Sequence, residues 1–409
     1  MILPTHISSL DFDVIDGCLA VGGRTVEALA EEIGSTPFYV YDSARIVEGI
    51  RSLKASLPDA IELHYAIKAN PMPAVVNLIS EHVDGLDVAS GRELVVATAT
   101  GTEPAMISFA GPGKTEAELA AAVAAGITIN VESPTELGRL CDIAAASGQT
   151  PNVAIRVNPD FELKSSGMKM SGGPKQFGID AEQVPAILRE MAGMPVRFIG
   201  FHIFSGSQNL RADSIAESQQ KSYALALSLA ENAPNVPLTL NLGGGFGIPY
   251  FPGEEALELD SIGANLDDIV TRAQKDLPGT SIIIELGRYL VGESGVYICK
   301  VLDKKISRGH TFLVTDGGLH HHLAATGNFG QVIRKNYPVI IANKATAPAE
   351  ETASVVGPLC TPLDLLGDKM KLADADVGDL VAVFQSGAYG YSASPHGFLS
   401  HPEPKEILV

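Results

Sequence analysis

Between residues 62 and 285 the chain alternates short runs of β-branched and aromatic residues with longer stretches whose apolar positions recur every three or four residues. The short runs predict strands at 62–67, 85–88, 106–109, 127–131, 153–157, 198–203, 238–242 and 281–285. Helical periodicity is clearest at 114–125, 134–146, 181–191 and 212–230. Eight strands in alternation with helices predict a (β/α)8 barrel of the TIM type; a doubly wound sheet shares the pattern, because strand order is not written in it. Outside this span the pattern changes. Residues 11–40 and the chain beyond 296 carry short β runs broken by glycine and proline, such as 296–303, 311–315 and 380–385. The expected division is a barrel over 43–286 and a mostly β domain, barrel or sandwich, from 1–42 and 287–409.

Composition narrows the class. A chain of 409 residues with 45% hydrophobic and 19% charged residues can bury two globular cores. It has no apolar run long enough to span a bilayer and no leader pattern at Met1, so a cytoplasmic location is expected. A net charge of -19 argues against nucleic acid or an anionic membrane as partner. Cys18, Cys141, Cys299 and Cys360 are scattered without a CxxC pair, which signals neither a zinc site nor a disulfide framework.

Lys68, in His64-Tyr65-Ala66-Ile67-Lys68-Ala69-Asn70-Pro71, comes directly after the first predicted barrel strand. That places it at the carboxyl end of the strands, where such barrels keep their chemistry. Most lysines are solvated surface charges; this one is singled out by the motifs further along the chain. Gly243-Gly244-Gly245-Phe246-Gly247 comes after another predicted strand, and glycines there let backbone amides approach a phosphate. Read as GxGxxG, the run puts Ile248 in the last glycine position, so it is no dinucleotide fingerprint. Gly111-Pro112-Gly113-Lys114-Thr115 imitates a P-loop, but Ser108 stands where the first glycine belongs. Glu285-Leu286-Gly287-Arg288 ends the last strand with an acid able to face a pyridine nitrogen and a cation able to bind phosphate. Cys360, in Gly357-Pro358-Leu359-Cys360-Thr361-Pro362-Leu363-Asp364, is flanked by turn formers and so reachable as a proton donor. Each of these alone reads equally well as a turn, an ion pair or a buried thiol. His320-His321-His322 invites a metal reading, but adjacent side chains diverge and no metal site is expected.

In combination these residues resemble the fold-type III pyridoxal phosphate decarboxylases, the ornithine and diaminopimelate decarboxylase family. The likeness runs from Thr36-Pro37-Phe38-Tyr39-Val40-Tyr41-Asp42 to Ser386-Gly387-Ala388-Tyr389-Gly390. It is strongest toward carrier-protein-dependent glutamyl-type and exosortase-associated members, through Met168-Lys169-Met170, Gln176-Phe177-Gly178, Asp316-Gly317-Gly318-Leu319 with the three histidines, and Gly357 to Pro362. The resemblance implies pyridoxal 5'-phosphate as cofactor, with Lys68 as the lysine that carries it. Asp87 and Glu93 match acids behind it, and Arg156 an arginine near its phenolic oxygen. Ser207, Gly243, Gly244, Gly245, Gly287, Arg288 and Tyr389 fall in its phosphate cradle, and Glu285 at its pyridine nitrogen. Cys360 matches the acid that protonates Cα and Asp364 a residue near the substrate amine. Both come from the partner subunit in the family, which implies a homodimer with shared sites.

Aligning on Gly206-Ser207-Gln208 puts Phe204 where free-diaminopimelate enzymes stack a histidine on the cofactor, and His202 two residues earlier on the same strand face. Thr361 replaces a usual acid, and the His320–322 region replaces an Arg-Pro-x-Leu-Tyr segment that grips substrate. A doubly zwitterionic substrate would leave buried charges unpaired in such a site. The expected activity is α-decarboxylation of a carrier-linked, glutamyl-type amino acid, with Lys68 nucleophilic in a low-dielectric pocket. The basic stretch from Lys164 to Lys175, together with Arg334 and Lys335, is the expected carrier contact. A free diaminopimelate or ornithine decarboxylase is the alternative, and an alanine-racemase-like enzyme a more distant one.

Overall fold

The computed structural model describes residues 12–162, 168–169, 171–331 and 333–409. Their contacts divide them into two compact units.

The first unit spans Glu48–Gly247 and Leu257–Gly287. Its eight parallel strands are β1 (Ile61–Ala66), β2 (Gly85–Val88), β3 (Ile107–Phe109), β4 (Thr128–Val131), β5 (Asn152–Asn158), β6 (Arg197–His202), β7 (Thr239–Gly244) and β8 (Ser281–Leu286). Each pairs with the next, β8 pairs with β1, and the barrel closes. The doubly wound alternative is thereby set aside. The order arises from short crossovers: right-handed helical returns place each strand beside its predecessor. Local signals set the helix ends. Thr115 and Glu118 form a capping box on Glu116–Ala125, which stops at Gly126 with φ 75°.

A close approach fixes one glycine in this unit. A Cβ on Gly287 would lie 2.9 Å from the Ala69 side chain and 3.1 Å from the Ala66 carbonyl. Only glycine lets the chain leaving β8 pass the turn that carries Lys68.

The second unit joins the described residues up to Val47 with Ile248–Ala256 and Arg288–Val409. Sequence patterning puts 248–256 in the barrel; contacts made by Ile248 and Tyr250 assign it here, as at Gly292, whose missing side chain leaves room for Ile248. Its main sheet runs, in spatial order, Val339–Ile341, Leu380–Val383, Gly295–Ser307, His310–Thr315, Glu351–Val356 and Leu365–Leu372. The Gly295–Ser307 strand pairs by its first half with Phe38–Tyr41 and Leu380–Val383, and by its second half with His310–Thr315. Phe12, Leu19, Leu29, Phe38, Val296 and Phe384 form one apolar core here. Each such side chain contributes about 1.5–3 kcal/mol by leaving water.

The expectation of only β runs before residue 40 fails at Val26–Ile33, a helix capped by Thr25 and ended by Gly34. Two turns are too few for a periodic signal, and the helix forms because Val26 and Leu29 reach that core.

Candidate active site

Each barrel strand supplies at least one buried polar residue, among them His64, Asp87, Ser108, Asn130, Arg156, His202, Asn241 and Glu285. Burying eight polar side chains is tolerated only if they satisfy one another. Asn130 donates to Ser108 Oγ at 3.0 Å, and the Ser108 hydroxyl donates to Asp87 Oδ1 at 2.5 Å. His64 Nδ1 lies 3.4 Å from the same oxygen. Burial favours a neutral His64, but the charge of Asp87 prevails and holds its imidazole above the ordinary value. Gly85 makes room for this ring, because a Cβ there would meet it at 2.5 Å.

Across the barrel, Glu285 Oε2 accepts from Asn241 Nδ2 at 3.1 Å and faces His202 Nε2 at 3.2 Å. Burial would raise this carboxyl, but His202 first, then Lys68 and Arg156, hold it well below the usual carboxylate range. Glu285 is therefore ionised at neutral pH. Asn241 Oδ1 in turn accepts the Gly243 amide at 2.7 Å. The glycine run does not simply come after its strand as expected: β7 includes Gly243 and Gly244, with an irregularity between Asn241 and Gly244. Gly243 has φ 70° and Gly245 φ 80°; a Cβ on Gly245 would lie 2.1 Å from the Gly206 carbonyl. This turn can be made only without side chains; its Gly243 amide is taken by Asn241, and the missing side chains let a ligand approach the backbone closely.

Lys68 sits on a 3-10 turn, Ile67–Ala69, directly after β1. Its neighbours are buried and its own side chain is exposed in the single chain. Its Nζ lies 5.9 Å from the centre of the Phe204 ring, and Gly243 packs against that ring. Phe204 is thus beside the lysine, whereas His202 points to Glu285. Glu93 accepts the Ala89 amide at 2.6 Å; burial raises its carboxyl. Ser207 lies on a two-residue strand paired with the backbone of Met168 and Lys169. Other residues of the Lys164 to Lys175 stretch lie outside the described residues, Lys164 among them.

Several partners carried no sequence signal. Glu132 binds Arg156 at 2.8 Å and also accepts the Gly111 and Gly178 amides. Lys114 of the false P-loop is buried on Glu136 at 2.6 Å, a structural ion pair. Nothing in their spacing marked these acids, since each meets a partner from another element of the fold.

In the second unit Arg288 donates to the Tyr250 hydroxyl at 2.7 Å and lies 4.8 Å from the centre of the Tyr389 ring. Tyr389 is a non-glycine residue at φ 55°, a strained backbone of the kind that clusters at functional sites. Cys360 is exposed. Asp364, expected near a substrate amine, accepts the Leu319 amide at 2.6 Å and the Leu359 amide at 2.8 Å. Gly318 and Gly357 crowd it so closely that a Cβ on either would touch a carboxylate oxygen. Arg334, expected to greet a carrier, is bound to the Thr326 and Leu365 carbonyls and to Asn336. His320, His321 and His322 are buried; burial drives their imidazoles down to about 3, 4 and 3. His321 meets Tyr297 and the Pro402 carbonyl, and His322 the Ser386 hydroxyl. They are neutral at physiological pH and supply no cation.

An exposed lysine beside an aromatic ring, an ionised buried acid and a glycine turn open to close approach fit pyridoxal phosphate. Asp87 Oδ2, buried without a hydrogen-bond partner, is a further acceptor that a bound group could use.

Comparison with known proteins agrees. Residues 43–292 match the family model described as pyridoxal-dependent decarboxylase, pyridoxal binding domain. The chain is 41% identical to an L-glutamyl-[BtrI acyl-carrier protein] decarboxylase of Niallia circulans, over 91% of this chain and 88% of the relative. It is 32% identical to a diaminopimelate decarboxylase of Aquifex aeolicus, over 96% and 91%. The crystal structure of diaminopimelate decarboxylase from M. jannaschii in complex with L-lysine superimposes with a TM-score of 0.86 at 27% identity, covering 98% and 93% of the two chains. The chain belongs to the pyridoxal-dependent decarboxylases, amino-acid carboxy-lyases built on this barrel. Among the described residues, no helix is long and apolar enough to cross a membrane.

Proposed function

We propose that this protein removes the α-carboxyl group of an amino acid tethered through its side chain to a carrier protein, a glutamyl-type substrate. The observation that carries this reading is the state of the Cys360 loop. Thr361 is uncharged, and Asp364, the loop's one acid, gives both oxygens to backbone amides. A free diaminopimelate substrate carries a second ammonium and carboxylate, and the neutral histidines offer the carboxylate no cation. A thioester-linked side chain has neither charge. Because the reaction needs a free α-amine and α-carboxylate, the tether must use the side-chain carboxyl. The relative from Niallia circulans, named for an L-glutamyl carrier-protein substrate, supports the same reading.

Pyridoxal phosphate, when bound, supplies the electron sink for the carbanion left by departing CO2. Lys68 would carry the cofactor covalently through its side-chain amine. The glycine turn from Gly243 to Gly245, with Ser207, Gly287, Arg288 and Tyr389, would hold its phosphate. Phe204 offers an apolar ring that cannot titrate, and Asp87, Arg156 and Glu93 set the charge around it. Glu285, kept ionised, would fix a proton on the pyridine nitrogen; His202 and Asn241 fix Glu285. Cys360 would deliver the proton from Sγ to Cα, from the partner subunit of a homodimer. Asp364 holds the loop that presents it.

The test is CO2 release from free L-glutamate, free diaminopimelate and L-glutamyl thioester on a carrier. The tethered substrate is expected to have a kcat/KM at least about tenfold higher, or about 1.4 kcal/mol. Efficient turnover of free diaminopimelate would overturn the reading.

A further inference from the structure

A groove of about 520 Å³ crosses one face of the second unit's sheet and ends at the Cys360 loop. Its floor is apolar: Phe312 and Val314 stand on one strand, and Val356 is the register partner of Val314 on the next. Leu359 and Pro362, on either side of Cys360, close one end. The other end carries Lys305, opposite Phe312 in register, with His310 and Lys369. Among the described residues neither lysine enters an ion pair, unlike the adjacent Lys304, which holds Glu351 and Asp374. Two acids also line the groove: Asp368, already bound by the Ser354 hydroxyl at 3.0 Å, and Asp364 at the far end, bound by the Leu319 and Leu359 amides, so the positive charge is confined to the Lys305 end. The buried Ser354 hydroxyl also meets His310 Nε2 at 2.9 Å, which fixes the imidazole at the groove's basic end.

From His310 to Val314 the strand covers about 13 Å, before the chain turns to Cys360. The groove is thus long, apolar in the middle, basic at one end, and closed at the other by the residues that flank Cys360. Its volume lies within the roughly 300–1,000 Å³ usual for small-molecule sites.

We propose that this groove binds the phosphopantetheine arm of the carrier, an inference that rests on the tethered-substrate reading. The phosphodiester lies against Lys305 and Lys369, the branched, amide-bearing stem lies over Phe312, Val314 and Val356, and the thioester end reaches the Cys360 loop. Local positive charge is what a chain of net charge -19 needs to receive an anionic ligand. It also replaces Arg334, which is committed to carbonyls, as the cationic contact.

The test compares holoenzyme turnover of L-glutamyl phosphopantetheine thioester with that of the phosphate-free pantetheine thioester. The phosphorylated form is expected to be preferred in kcat/KM by about tenfold, the effect of two exposed charge contacts. The preference shrinks toward unity as salt rises. Lys305→Ala combined with Lys369→Asn is expected to abolish it while leaving phosphate-free turnover unchanged. Asparagine is chosen because residue 369 has φ 50°. Lys305→Ala alone, an exposed substitution, is expected to halve the preference or more and serves if the double variant does not fold. Equal losses on both substrates, or a preference that survives the double variant, overturns the groove and leaves the carrier reading standing. Free L-glutamate turned over as well as either thioester overturns both.

Discussion

Asn241 joins Glu285 to the glycine turn: its Nδ2 donates to Glu285 Oε2 at 3.1 Å while its Oδ1 accepts the Gly243 amide at 2.7 Å. The acid proposed for the pyridine nitrogen and the glycine turn proposed for the phosphate are therefore anchored by one buried side chain. Asn241→Leu removes both bonds and leaves a buried carboxylate short of a donor. Loss of a hydrogen bond to a charged group costs about 1.5–3 kcal/mol. Cofactor affinity is expected to fall by about 10- to 100-fold, read by equilibrium dialysis of pyridoxal phosphate against the apoprotein. Unchanged affinity would show that Glu285 needs no such anchor.

Lys68 is the residue expected to carry the cofactor. Borohydride reduction of the holoenzyme and subsequent peptide mapping should place the pyridoxyl mass on the peptide containing Lys68. A label on Lys114, which is buried on Glu136, would contradict the site as drawn.

Cys360 is exposed, as a side chain serving a neighbouring subunit would be. Lys68→Ala and Cys360→Ala homodimers should each be inactive, and mixing them should restore activity, since one of the two sites in a mixed dimer is intact. No recovery after subunit exchange, verified by mass spectrometry, would place Cys360 in its own subunit's chemistry.

Glu132 tests the barrel's stability. Burial raises its carboxyl, but the charge and hydrogen bond of Arg156, with Lys114, outweigh burial and hold it below the ordinary value. A depressed folded-state value means the stabilisation is complete above the unfolded glutamate value, about 4.3, and is lost as pH falls through the folded one. Glu132→Gln strips Arg156 of its paired carboxylate and should cost about 3–5 kcal/mol at neutral pH. Urea denaturation across pH should also show that the variant loses less stability than the parent below about pH 4. Equal acid sensitivity would assign the acid limb to other carboxylates.

Asp364 pins two segments, one through Leu319 and one through Leu359. Asp364→Ala should lower thermal stability by about 3 kcal/mol at neutral pH, by loss of two charge-assisted bonds. It should also reduce kcat by mispositioning Cys360. Thermal unfolding together with kcat separates this from a direct substrate contact, which would leave stability unmoved.

The eight-strand alternation, the position of Lys68 after β1 and the glycine run at the end of β7 were legible in the sequence because each depends on local periodicity or on one residue's backbone freedom. Glu285 and Arg288 were legible for the same reason, as the end of one strand. The Val26–Ile33 helix was not, because tertiary burial rather than periodicity stabilises two turns. Glu132, His64, Tyr250 and Asn241 were not, because their partners lie on other elements and no spacing records the meeting. The sequence by itself determined the order of the elements and the inventory of chemical groups. The tertiary structure decided which groups face one another. Barrel closure set polar residues from every strand into a shared interior, made Glu285 an ionised acid beside His202 and Asn241, and left Lys68 exposed at its rim. The second unit made Asp364 and Arg334 loop anchors, since a buried charge takes the nearest backbone partners that satisfy it.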